Sequence, residues 1–197
     1  MLLLLDNYDS FTYNLLQYLE ELLQEEVAVF RNDEITVEEA AVYDGFVFSP
    51  GPGLPNEAGI LIPLIERYHS SKPMLGICLG HQAITLAFGG KLKQLDFVLH
   101  GLSRKVYMKD PSHGIFEGIS TPFEAGRYHS WVPDPTSFPE VLEVLAMDED
   151  NEIMVLKHRL FPVYGMQFHP ESILTPCGKQ LLSNWLELTE QKKVSLP

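Results

Sequence analysis

The 197 residues can close one hydrophobic core but leave no room for two enzymes, and a composition of 45% hydrophobic and 21% charged residues excludes a disordered polymer. With 27 acidic against 14 basic residues the formal charge is −13, which argues against nucleic acid as a partner because a phosphate backbone would be repelled over most of the surface. The apolar opening Met1 to Leu5 lacks a basic leader and runs into Asp6, no stretch approaches the ~20 apolar residues of a membrane span, and two cysteines make neither a disulfide scaffold nor a metal site, so the expectation is a cytoplasmic protein with no metal, cofactor or membrane partner.

In chain order, Leu2 to Leu5 reads as a buried strand and is followed by a helix over Phe11 to Leu23, with Leu15, Leu16, Leu19, Leu22 and Leu23 on one stripe. Val27 to Phe30 is the next strand. Thr36 and Glu39 form a capping pair that opens a turn, and Phe46 to Phe48 and Met74 to Ile77 are further strands. Alternation of this kind predicts an open, doubly wound α/β sheet. The second half reads differently, with strand-like runs at Lys105 to Met108, Leu142 to Met147, Ile153 to Lys157 and Val163 to Phe168 joined by Pro/Gly-rich turns, then a helix from about Gly178 to Leu188. No repeat or linker divides residues 1–197, so a single domain is expected.

Ligands of such sheets sit beyond the carboxyl ends of the strands, which makes the segments just after each strand the place to look for chemistry. Gly76-Ile77-Cys78-Leu79-Gly80 lies between a strand and a helix, as a nucleophile elbow does, with sulfur in place of the serine oxygen. A helix starting after Cys78 points its positive end at the sulfur and favours the thiolate. Cys177 also precedes a helix but lacks that glycine frame and reads as structural. In Gln167-Phe168-His169-Pro170-Glu171, at the end of a predicted strand, side chains two apart point the same way, so His169 and Glu171 can pair as a base and its orienter.

After the strand ending at Phe48, the loop Ser49-Pro50-Gly51-Pro52-Gly53 is rich enough in Gly and Pro to be a simple turn. Beside the elbow it takes on a second reading, in which the Gly53 and Leu79 N–H groups form an oxyanion hole. It carries neither a Walker-type lysine nor GxGxxG, which weakens a phosphate-binding reading. Tyr128-His129-Ser130-Trp131, and Gln82 one helical turn after Cys78, offer groups suited to a polar amino-acid substrate, although spacing alone fits surface residues equally well.

Taken together, Leu5-Asp6-Asn7-Tyr8-Asp9-Ser10-Phe11-Thr12, the SPGPG loop, GICLGHQ, RYHS and QFHPES resemble, in order and separation, the triad (class I) glutamine amidotransferases over about Leu2 to Leu186. Within that family the resemblance is to the glutaminase component of anthranilate synthase and of 4-amino-4-deoxychorismate synthase. It implies a flavodoxin-like three-layer α/β fold, mostly parallel with extra antiparallel strands in the second half, and a Cys78/His169/Glu171 triad carrying a γ-glutamyl thioester on Cys78. It further implies L-glutamine held by Gly51, Pro52, Gly53, Gln82, Ser130 and Trp131, an oxyanion hole at Gly53 and Leu79, and ammonia delivered to a chorismate-using synthase subunit. Trp131 stands where the family often has leucine, and His100-Gly101-Leu102 where it often has His-Gly-Lys, which bears on contacts with a partner. Other classes to separate are a different thiol hydrolase on the same fold and a non-catalytic flavin- or nucleotide-binding module.

Overall fold

The computed structural model describes residues 1–95 and 101–194; His100 lies outside them. Leu2–Asp6 (β1) is buried along its whole length and leads through a turn into Thr12–Leu23 (α1), with Phe11 at the N-cap. Ala28–Arg31 (β2), Gly45–Phe48 (β3), Leu61–Tyr68 (α2), Met74–Ile77 (β4) and Leu79–Ala87 (α3) complete the first half. The expected capping pair forms reciprocally, Glu39 N–H donating to Thr36 Oγ1 at 3.1 Å and Thr36 N–H to Glu39 Oε2 at 2.9 Å, ahead of a short 3-10 turn at Glu39–Val42. The second half contains Leu92–Gln94 (β5), Leu102–Met108 (β6), Phe123–Arg127 (β7), Trp131–Pro133 (β8), Leu142–Asp148 (β9), Ile153–His158 (β10), Val163–Met166 (β11) and Gly178–Val194 (α4).

Among the described residues, a nine-stranded sheet runs in the order β2-β1-β3-β4-β11-β10-β9-β6-β7, and β5 pairs with β8 separately. Pairing is parallel from β2 through β1, β3 and β4 to β11, then antiparallel from β11 outward. The parallel portion has the doubly wound order in which β11 takes the fifth place. Alternate residues of β1 go to opposite faces, as the two-residue period of a strand requires. Leu2 and Leu4 meet Leu15 and Leu19 of α1 and Leu181, Leu182 and Trp185 of α4, whereas Leu3 and Leu5 meet Leu61, Leu64 and Ile65 of α2 and Ala83 and Ile84 of α3. Burial on both faces explains why β1 is an unbroken run of leucine, and it makes the architecture three-layered. No helix among the described residues is long and apolar enough to cross a membrane.

Candidate active site

Cys78 follows β4 directly and caps α3, with φ 50° and ψ −96°, in the left-handed half of backbone space that a side chain rarely enters. Such strain persists only where the surroundings over-determine it. Here the Cys78 N–H donates to the Met166 carbonyl at 2.8 Å, and the Cys78 carbonyl accepts the first α3 bond from Gln82 at 3.1 Å. The flanking glycines are required by close approach: a Cβ on Gly76 would lie 2.3 Å from the Gly80 carbonyl carbon, and one on Gly80 would lie 2.7 Å from the Phe48 Cβ. The sulfur therefore sits at the free N–H groups and positive end of α3.

His169 and Glu171 meet as expected, but in a turn and not on a strand. β11 ends at Met166, and the chain closes a turn in which Ser172 N–H donates to the His169 carbonyl at 3.2 Å with Pro170 at the second position. Proline suits that position because its fixed φ is the one such a turn needs. His169 Nδ1 lies 2.7 Å from Glu171 Oε1, and both side chains are almost fully buried. The imidazole is held between Phe11 and Tyr128, at ring-centre distances of 5.6 and 4.7 Å. Its backbone carbonyl also accepts from Thr175 Oγ1 at 2.7 Å. Burial opposes the imidazolium, but the Cys78 sulfur and the Glu171 carboxylate more than offset it and raise His169 to about 10. The proton thus resides on the ring at neutral pH.

A cavity of about 330 Å³ opens over Cys78 and is lined by Gly51, Pro52, Gly53, Leu54, Gln82, Gln94, Tyr128, His129, Ser130 and Trp131. Every residue the sequence nominated for substrate binding is on that wall. Gly53 has φ +73°, and a Cβ on Gly51 would come within 2.5 Å of the Asn7 carbonyl, so the loop needs glycine at both positions to lie against β1 and the elbow. Gln82 donates through Nε2 to the Trp131 carbonyl at 2.7 Å and to Gln167 Oε1 at 3.5 Å. With both N–H bonds committed to the protein, it can offer a ligand only its carbonyl oxygen.

Two lining residues, Gln94 and Leu54, were missed from sequence. Gln94 reaches the wall because β5 pairs with β8 and sets Gln94 opposite Trp131, a long-range pairing with no local mark. Leu54 merely extends the glycine loop. His129 is tied to a buried cation: Arg127 Nε donates to His129 Nε2 at 3.2 Å, and the Arg127 guanidinium pairs with Asp148, both side chains being at most 1% exposed. Burial first, then the Arg127 charge, holds His129 well below the usual histidine range, so it stays neutral. Fully buried His81 is likewise lowered, to about 3, by desolvation. Cys177 lies away from the cavity lining, and burial pushes its thiol up to about 11.

Thiolate attack on an acyl carbon requires a nucleophile, a proton carrier and an orienting carboxylate within reach of one another, and the carboxyl edge of this sheet brings such groups together. The fold and site thus define a thiol-dependent acyl-transfer enzyme of the doubly wound class. Residues 3–188 match the glutamine amidotransferase class-I family, and the chain belongs to that family. It is 49% identical over 193 residues to anthranilate synthase component 2 of Pseudomonas aeruginosa, covering 94% of each chain, and 46% identical over 188 residues to aminodeoxychorismate synthase component 2 of Escherichia coli, covering 94% of this chain and 99% of the relative. Against the bifunctional protein TrpGD of Thermotoga maritima it is 46% identical over 198 residues, and there it spans only 33% of the relative's length. The crystal structure of a candidate GMP synthase subunit from Thermoplasma acidophilum superposes with a TM-score of 0.86 at 25% identity, covering 98% of this chain and 94% of that one.

Proposed function

We propose that this chain works as one glutaminase domain that hydrolyses L-glutamine to glutamate and passes the ammonia to a chorismate-using synthase subunit. The observation that carries the reading is the strained Cys78 at the floor of the cavity, with the buried His169–Glu171 pair beside it. The Cys78 thiolate attacks the side-chain amide carbon, and the carbonyl electrons move onto oxygen, which accepts from the Gly53 and Leu79 N–H groups. As the oxyanion collapses, His169 gives its proton to the departing nitrogen, leaving ammonia and a γ-glutamyl thioester. Neutral His169 then takes a proton from water, whose oxygen attacks the thioester, and thiolate departs as glutamate forms. Gly51, Pro52, Gln82, Ser130 and Trp131 hold the amino acid.

Relatives named for anthranilate and for aminodeoxychorismate synthesis, including an Aminodeoxychorismate/anthranilate synthase component 2 of Bacillus subtilis, support a chorismate-using acceptor in either route or both. Ammonia freed into water would be protonated and lost as a nucleophile, which makes docking functionally necessary. The net charge of −13 argues against nucleic acid, and a cytoplasmic setting free of membrane partners suits the reading. The test is glutamine turnover by the chain alone, with each candidate synthase subunit, and with synthase plus chorismate. Turnover should rise with the correct partner and again with chorismate. Equal turnover throughout, with no complex on a sizing column, would leave a free-standing amidase.

A further inference from the structure

Next to the sulfur lies a side chain that the triad does not use. β4 and β11 are parallel neighbours with Ile77 opposite Met166, so the next residues, Cys78 and Gln167, leave the sheet side by side. Both are fixed by backbone bonds across the sheet, from Cys78 N–H to the Met166 carbonyl and from Gln167 N–H to the Met154 carbonyl, each at 2.8 Å. Gln167 is fully buried, and its Nε2 lies 3.7 Å from Cys78 Sγ.

The direction of its amide is dictated by its neighbours. The Trp131 carbonyl can only accept, so the nitrogen of the Gln82 amide must face it, at 2.7 Å. The second N–H of that group then meets Gln167 Oε1 at 3.5 Å, which turns the Gln167 nitrogen to the sulfur. An apolar side chain of similar size would fill this space without a donor to satisfy, whereas a buried carboxamide needs partners.

We propose that Gln167 is a further catalytic residue, a non-titrating donor that stabilises the Cys78 thiolate as attacking and as leaving group and couples it through Gln82 to the loop carrying Trp131. The proposal rests on Cys78 being the nucleophile. His169 gives up its proton during the cycle, but a carboxamide keeps its N–H throughout. Of the titratable groups facing this region, His169 with Glu171 behind it is the proton carrier, while His81 on α3 and His129 on the substrate loop stay neutral because they are buried.

The test is the rate of Cys78 carboxamidomethylation by iodoacetamide against pH, in the wild type and in Gln167→Met, with kcat and KM for glutamine measured in parallel. The midpoint should move up by about one pH unit in Gln167→Met, the size of a hydrogen bond to a charged group, and kcat should fall about tenfold with KM changed far less. A second measurement needs no variant at this position: in the 15N-labelled wild type, the Gln167 side-chain amide signal should shift as the thiol titrates and on replacement Cys78→Ala. If Gln167→Met does not fold, that signal decides alone. A superimposable alkylation profile, or an amide signal indifferent to thiol titration and to Cys78→Ala, would overturn the proposal. No labelling of wild-type Cys78 at any pH would instead remove the glutaminase reading, and this proposal with it.

Discussion

The parallel and antiparallel halves of the sheet contribute to the site in different ways. In the parallel half, chemistry is set by backbone: the strained Cys78, its flanking glycines and the start of α3 lie within a few residues of one another. Across the rest of the sheet, the Tyr128–Trp131 loop and the Arg127–Asp148 pair are held by contacts between segments far apart in sequence, Gln82 to Trp131, Tyr128 to Ser172 and Arg127 to Asp148. A nucleophile can therefore be written into a short motif, whereas the groups that position its proton carrier and substrate depend on the closed fold.

Among the groups around Cys78, breaking the proton carrier should give the largest effect. His169→Ala is expected to lower kcat by about 10³-fold or more, while Glu171→Gln, which keeps a hydrogen-bonding orienter, should be roughly 10- to 100-fold milder. Steady-state kinetics of both variants will check this, and an unimpaired His169→Ala enzyme would exclude that histidine as the base. Next comes the buried ion pair. Asp148→Ala leaves the Arg127 charge buried without its partner and should cost about 3–5 kcal/mol in denaturant unfolding. It should also raise KM for glutamine, because Arg127 holds His129 on the substrate loop. The double change Arg127→Met with Asp148→Leu should recover much of the stability while KM stays raised.

In the parallel half, Gly80→Ala forces a methyl against Phe48 and should cost about 1–3 kcal/mol, measurable as a lower urea midpoint. A further effect concerns pH. A histidine with a depressed native value stays neutral while the unfolded chain takes up a proton, so the stability from His81 is present above the ordinary value of 6.5 and is lost as pH falls towards about 3. His81→Gln should flatten this acid limb by up to about 1.4 kcal/mol per pH unit.

Much of the parallel half was legible because buried strands and glycine-framed turns leave local marks, and the elbow, the Gly51–Gly53 loop and the His169–Glu171 pair were all readable from the sequence. What could not be read depends on pairing across the fold. β5 and β8, of three residues each, are too short to show a period, so Gln94 at the cavity wall had no signal. Asp148 lies 21 residues from Arg127, and nothing near either predicts their meeting. His169 and Glu171 were found for a partly wrong reason, since a proline turn and not an extended strand brings them together.

The central claim is that Cys78 is the nucleophile for glutamine, and peptide mapping after reaction with an electrophilic glutamine analogue tests it most directly. The adduct should map to Cys78, disappear in Cys78→Ser together with glutamine turnover, and be unaffected by Cys177→Ser. An adduct that survives Cys78→Ser and vanishes in Cys177→Ser would contradict the account.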